Sequence, residues 1–379
     1  MAGEVNLNLS DLMSKALGLM REHMDNDPLC SENLNILVAG GTGTGKSTLI
    51  NVVFGTEVAR TGQGAPITQQ IKSYSQEGLT IYDTKGLEMK DFSATKQEIT
   101  NFLENMHRKE AQEQIHIAWL CIQEPARRIQ EGEVELYHLL KEHKVPTIVT
   151  ISKAQQDKDD KGEKFSSVVQ ECFQLDEAHL QRVRALEVED DEGEVKPIMG
   201  IGQLMEKSKA LLPEGLKAAF NRKQKYDLKL RRKQCKEDAH KAITGYTTGA
   251  ATIGATPIPF SDFALLAPTQ IAMIMHISKI YGLKISTESA EKLLGVFVGV
   301  LGVGYVVRAA VGGVLKFVPM AGSVIGGAIN ATAAGGTTAL IGKAYAAYLD
   351  ANIKDPEGAI QSFNAKVFQK YLNMVKSLS

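Results

Sequence analysis

Three stretches hold residues whose types and spacing can do chemistry on phosphate. The first is "GGTGTGKST", where Gly40, four residues, then Gly45, Lys46 and Ser47 satisfy a GxxxxGK[ST] spacing. Across Gly40, Gly41, Thr42, Gly43, Thr44 and Gly45, a glycine-rich backbone can curl so that successive N–H groups face phosphate oxygens. A helix opening near Lys46 adds its positive dipole end. Lys46 is placed to reach β- and γ-phosphates, the Ser47 hydroxyl to ligate Mg2+, and Thr48 completes the set. The second stretch, "GLTIYDTKGLEMK", ends an apolar strand in Asp83, an acid suited to holding that metal, with a Gly86 N–H able to meet a γ-phosphate and register its loss. The third, "TGQGAPITQQIKSYS", offers Thr68, whose hydroxyl and carbonyl can close over metal and phosphate. Thr61 competes with it, and a plain turn residue is the bland reading of either.

The elements around these residues read as alternating strands and helices. "NLNILVAG" precedes the cradle, Leu79 to Tyr82 precedes Asp83, and apolar runs at 114–122 and 145–152 each lead into a charged helical stretch. This βα alternation predicts an α/β fold with a doubly wound, mostly parallel sheet. "QRVRALEVED" (181–190) is expected as the last strand. A closing helix follows, with Leu204, Ser208 and Leu211 on one face. Residues 153–241 are dense in charge, whereas 243–349 are rich in Gly, Ala, Val and Ile. That shift predicts a separate all-α C-terminal domain. The expected organisation is an amphipathic N-terminal helix within 1–32 (Leu9, Leu12, Met13, Leu17, Met20), an α/β domain at 33–215, a charged connecting helix at 216–244 and a helical domain at 245–379. With a net charge of −1, nothing global recruits or repels nucleic acid, and no nucleic-acid partner is expected from the sequence. Cys30, Cys121, Cys172 and Cys235 show no paired spacing, so a reducing, cytoplasmic setting is expected and neither a zinc site nor a disulfide framework is supported.

With "GGTGTGKST", "APIT" and "DTKGL" in order, residues 33–215 resemble the Era-like branch of the translation-factor class of P-loop GTPases. The resemblance implies GTP and GDP as ligands, Mg2+ as cofactor, Lys46, Thr68 and Gly86 as catalytic residues, and Ser47, Thr68 and Asp83 as the metal set. Relatives carry "DTPG" where this chain has Lys85, a tolerated position. Leu87 stands where Ras-like enzymes place a water-orienting Gln. It cannot polarise water, so slow intrinsic hydrolysis is implied. The base-reading loop departs further. The family places Asn or Thr, Lys, any residue, then Asp, whereas "TISKAQQD" puts Ser152, Lys153, Ala154 and Gln155 in those slots, with Asp157 next. Three readings are open. Lys153 can stack under a guanine whose edge is read by Gln155 or Asp157; the site can take ATP; or the stretch is a solvated loop. A carboxylate bonds both N1–H and the 2-amino group, whereas Gln155 offers one acceptor and one donor and discriminates less. Where relatives show a Ser-Ala-Lys loop, only Ala185 survives. Arg127 and Arg128 follow a strand end and fit either a catalytic arginine or surface pairing with Glu131.

The run 221–243 contains no Gly or Pro and reads as a helix whose cations suit either solvent or acidic lipid. Beyond it, "IPFSDFALLAPTQIAMI", "ISKIYG" and "VPMAGSVIGGAINATAAGGTTALIGKAYAAYL" resemble domain of unknown function 697 across about 245–350. Leu293 to Val307 is too short to span a bilayer. Phe317 to Ile341 is uncharged but broken by Pro319, Asn330 and many glycines. The Gly295/Gly299 and Gly322/Gly326 pairs suit close helix packing in lipid or in a soluble bundle, so a membrane surface or a homo-oligomer are the partners expected of this region. His276, within an apolar helix face, reads as a core histidine. The expectation is a membrane-associated or membrane-adjacent GTPase that binds GTP with Mg2+, hydrolyses it slowly and passes nucleotide state to its helical C-terminal domain. The alternatives are a nucleotide-gated scaffold without appreciable hydrolysis and a dynamin-like membrane remodeller.

Overall fold

The computed structural model describes residues 33–55, 65–66, 71–76, 78–84, 92–189, 193–255, 261–283 and 326–378, with Ser14, Gly18, Leu293 and Val296. The chain divides into two units, one spanning 32–227 and the other holding 1–31 and 228–379.

The first unit is built on strands β1 (Leu34–Gly40), β2 (Ala65–Pro66), β3 (Ile71–Gln76), β4 (Leu79–Thr84), β5 (Ile117–Gln123), β6 (Thr147–Ser152) and β7 (Leu180–Arg182). Their order is β2-β3-β4-β1-β5-β6-β7; β4 through β7 are parallel, and β2 and β3 add an antiparallel edge. All seven residues of β1 are buried, as expected of a central strand covered on both faces. The pleat sends Leu34, Ile36 and Val38 into one core and Leu37 and Ala39 into the other. Helices α1 (Lys46–Phe54), α5 (Ile201–Leu211) and α6 (Glu214–Lys223) cover the first face. The second is covered by α2 (Phe92–His107), α3 (Glu131–Glu142) and α4 (Phe165–Phe173). The chain leaves β1 toward β2–β4 on one side and returns to β5 on the other. The carboxyl end of β1 is therefore a topological switch point, where open α/β sheets bind ligands.

The run 181–190 is not one strand. Val183 donates to the Ile151 carbonyl, but Arg184 then exchanges backbone hydrogen bonds with Met199, which draws the chain off the sheet edge. Val188–Glu189 (β8) pairs instead with Val195–Lys196 (β9) in a separate hairpin. The closing helix α5 buries Leu204 and Ser208, and the Ser208 hydroxyl accepts a 2.9 Å bond from the Trp119 indole.

The charged run 221–243 is not one helix either. It breaks at 224–227, where the buried Gln224 side chain donates to the Asp227 carbonyl and accepts from the Asp227 N–H, closing a ring that satisfies the exposed backbone ends. Lys225 N–H donates to the Val53 carbonyl at 2.7 Å, fixing this exit segment to the end of α1.

The second unit is helical in its described residues: α7 (Leu228–Ala255), α8 (Ser261–Ile280), α9 (Gly326–Ala351), α10 (Pro356–Ser362) and α11 (Ala365–Leu378). Cys235, Ala239, Ala242 and Tyr246 recur on one face of α7 and pack with Met273 and Ile277 of α8 and Tyr345 and Tyr348 of α9. Small residues allow close approach: a Cβ added at Gly342 would lie 2.8 Å from Ile243 Cγ1 and 2.9 Å from Met273 Sδ. Arg231, buried, donates to the carbonyls of Tyr281 and Ile353. His276 is buried, edge-on to Tyr246. Among the described residues, no helix is long and apolar enough to cross a membrane. The amphipathic pattern of Leu9 to Met20 lies outside the described residues, as does most of Leu293 to Val307.

Candidate functional site

At the switch point β1 ends in Gly40, whose φ of 141° lies outside the comfortable range of L side chains. A Cβ here would sit 2.2 Å from the Cys121 carbonyl oxygen of β5, so only glycine lets the turn begin this close to the neighbouring strand. The turn then runs through Gly41 to Gly45 and opens α1 at Lys46. Thr44 Oγ1 donates to the Gly41 carbonyl at 2.9 Å, holding the curl. The buried Lys46 ammonium donates to the carbonyls of Gly40 and Gly41, 3.0 Å each. An ammonium has three protons, so one is left for a phosphate oxygen. Thr42, Gly43 and Ser47 lie on the exposed side of the turn.

Asp83 sits on β4, paired in register with Val38 of β1 and Lys72 of β3. Its Oδ1 is buried with no hydrogen-bond partner among the described residues. Burial pushes its carboxyl above the usual aspartate range, while the positive charges of Lys46 and Lys72 pull it down. A buried anionic oxygen lacking a partner is what a cation site presents. Mg2+ is held by one or two protein groups together with substrate phosphates and water rather than by a protein cage, so Asp83 and the Ser47 hydroxyl fit it. Thr68, Gly86 and Leu87 lie outside the described residues, as does Thr61.

The base loop follows β6. Ser152, buried, donates its hydroxyl to the Thr44 carbonyl at 2.6 Å, with the Ile122 carbonyl at 3.2 Å, and so ties this loop directly to the phosphate turn. Lys153 takes a left-handed φ of 52° and is exposed. A cavity of about 260 Å3 opens beside it, lined by Gly45, Thr48, Lys153, Gln155 and the run from Val183 to Val188. The structure thus brings Lys153, Gln155 and Ala185 to one cavity that also touches the cradle at Gly45 and Thr48. It does not bring Asp157 there. That carboxylate accepts from Ser166 N at 2.9 Å and Ser166 Oγ at 2.7 Å and lies 3.6 Å from Arg182 Nε. Burial raises its pKa, but the two Ser166 bonds and the charges of Arg182 and Lys164 outweigh that and hold it below the usual aspartate range.

Residues outside any motif complete this end of the site. Arg184, buried, donates to the carbonyls of Ala154 and Pro197, both at 2.7 Å, which fixes the loop that lines the cavity. Arg127 is held elsewhere than on Glu131: its guanidinium donates to the backbone carbonyls of Gln156 and Asp157. Of these, only Arg127 carried a sequence signal, as an arginine just after a strand end.

A glycine-rich turn between the central parallel strand and a helix, with its lysine folded over the turn, defines the P-loop nucleotide-binding class. Residues 35–153 match the family described as 50S ribosome-binding GTPase, and residues 222–373 match the family described as Domain of unknown function (DUF697). The chain therefore carries a stretch that matches a GTPase family, followed by a helical stretch that matches DUF697. Among solved structures, a probable GTP-binding protein engB is similar at 24% identity and a TM-score of 0.33, over 47% of this chain and 97% of that one. Toc33 from Arabidopsis thaliana in complex with Mg2+ and GMPPNP is similar at 16% identity and 0.32, over 57% and 96%. The G domain of the T. maritima FeoB iron transporter is similar at 16% and 0.27, over 47% and 98%. No match was found among curated proteins.

Proposed function

We propose that this protein is an Era-like GTPase that hydrolyses GTP slowly and couples nucleotide state, through the segments around Thr68 and Asp83 to Leu87, to its helical C-terminal region. The observation that carries the reading is the juxtaposition of Lys46, with one ammonium proton to spare, and the buried Oδ1 of Asp83 on the strand beside β1, each without a further partner among the described residues.

In this reading the backbone N–H groups of Gly41 to Lys46 hold the phosphates, and Lys46 neutralises charge on the β- and γ-oxygens. Ser47, Thr68 and Asp83 hold Mg2+, which when bound offsets the negative charge that builds on the phosphate oxygens. Gly86 presents its N–H to the γ-phosphate. Lys153 lays its stem along the purine face, and Gln155 meets the purine edge. Leu87 has no polar group with which to orient water, which accounts for a low rate. Contact of the C-terminal helices with a membrane surface or a second copy belongs to the same reading and rests on their Gly-rich composition.

Two measurements on the full chain test it. Displacement of a fluorescent guanine nucleotide with Mg2+ is expected to show GTP bound more tightly than ATP, with Lys46→Ala abolishing binding. Single-turnover phosphate release is expected to exceed the uncatalysed rate. A protein that binds no guanine nucleotide ends the proposal, and one that binds without release is the nucleotide-gated scaffold instead.

A further inference from the structure

Strand β5 ends at Gln123, and the next residue, Glu124, is 2% exposed. A carboxylate buried this deeply is costly unless it is paired and hydrogen-bonded. One of its oxygens accepts the Gln155 backbone N–H at 2.5 Å. The other accepts from Arg182 Nε at 2.7 Å and lies 2.6 Å from a second Arg182 nitrogen. Arg182 is the last residue of β7, so the Glu124–Arg182 pair bridges the tips of two parallel strands that flank β6. Arg127, from the same turn, holds the next two carbonyls of the loop.

Gln155 lies on the wall between the base cavity and a second cavity of about 290 Å3 lined by Glu124, Arg127, Gln156 and Lys158. Its side chain is exposed, so only its backbone fixes where the amide can reach. We propose that Glu124 is the positioning residue for base selectivity: it anchors the Gln155 backbone so that the Gln155 amide meets the purine edge. An amide is a weaker reader than a carboxylate because its oxygen and its NH2 can pair with a 6-oxo/N1–H edge or, flipped, with an N1/6-amino edge. A flipped or displaced amide loses guanine preference, so an anchor at residue 155 matters more here than it would for a carboxylate. The inference rests on Gln155 reading the base, as set out above.

The test is the ratio of ATP to GTP dissociation constants, measured on the full chain by displacement of a fluorescent guanine nucleotide. Glu124→Ala and Gln155→Ala are each expected to lower that preference about tenfold, and the double variant no further, because Glu124 acts through residue 155. Glu124→Gln, which keeps an acceptor for the N–H, should stay within about threefold of the parent. If Gln155→Ala lowers the preference and Glu124→Ala does not, the positioning role is wrong while base reading stands. If Gln155→Ala leaves the preference unchanged, base reading falls and this inference with it. Additive losses in the double variant also overturn the proposal. Should Glu124→Ala not fold, the unmodified chain still decides: hydrogen exchange at the Gln155 amide is expected to be slow without nucleotide, and fast exchange refutes the anchor.

Discussion

Ser152→Ala removes a side chain that joins the loop after β6 to the phosphate turn. The residue is 4% exposed, and its hydroxyl lies 2.6 Å from the Thr44 carbonyl and 3.2 Å from that of Ile122. The shorter contact carries most of the interaction, since one proton cannot serve both acceptors fully. A buried hydrogen bond is worth about 1–1.5 kcal/mol net, and an acceptor left buried without a partner raises the loss to ~1–3 kcal/mol. Urea denaturation should therefore show a lower midpoint at unchanged slope. Nucleotide affinity suffers only to the extent that binding must rebuild the loosened turn. That loss of ~1–3 kcal/mol sets the ceiling, so the GTP dissociation constant should rise by no more than about 150-fold. Thr150→Val is the control: Thr150 is equally buried on the same strand but bonds only weakly, at 3.5 Å, to Ile148 of its own strand. It should cost stability without moving affinity. If Ser152→Ala changes neither quantity, or if Thr150→Val weakens GTP binding as much, the tie between loop and cradle has no energetic content.

Gly342→Val should destabilise the helical unit by about 1–3 kcal/mol through overpacking against Ile243 and Met273, read as a lower melting temperature; a Met273→Ala background should relieve part of it. His116 accepts the Asn35 N–H at Nδ1 and meets the Ala111 carbonyl at Nε2, and burial holds its pKa below the usual 6.5 despite that backbone bond. The neutral ring is favoured in the fold, so its contribution to stability is complete above about pH 6.5 and is lost as pH falls from there through the lowered folded value. The urea midpoint should drop across that window in the parent and drop less in His116→Gln; an NMR titration placing His116 above 6.5 would overturn the assignment.

The phosphate end was legible because its chemistry demands fixed spacing: glycines at 40 and 45 with a lysine at 46 serve few purposes other than wrapping an anion. The parallel sheet was legible for a similar reason, since strands covered on both faces are predominantly apolar, as β1 and β5 are, with Ile148, Val149 and Ile151 marking β6 despite its Thr and Ser residues. The edge at 181–190 was not, because Arg184 leaves the sheet through long-range bonds to Met199 that no local pattern announces. The helix break at 224–227 was hidden by helix-forming residues, its cause being one glutamine side chain folded onto its own backbone. At the base loop the sequence left Gln155 and Asp157 open. The two differ at Ser166, nine residues on from Asp157, which engages the Asp157 carboxylate. Glu124 gave no signal at all, as one acid after a strand in a chain rich in them.

The chain carries a single tryptophan. Trp119 is fully buried on β5, its ring stacked 5.9 Å from that of Phe54. Phe54 is the last residue of the helix that starts at Lys46. The indole is therefore a built-in optical label for the nucleotide unit, whereas the ellipticity of the long C-terminal helices reports mainly on the other. Melting curves followed by emission and by ellipticity will coincide only if the two units unfold together, so the unmodified protein can reveal whether they behave as one cooperative body.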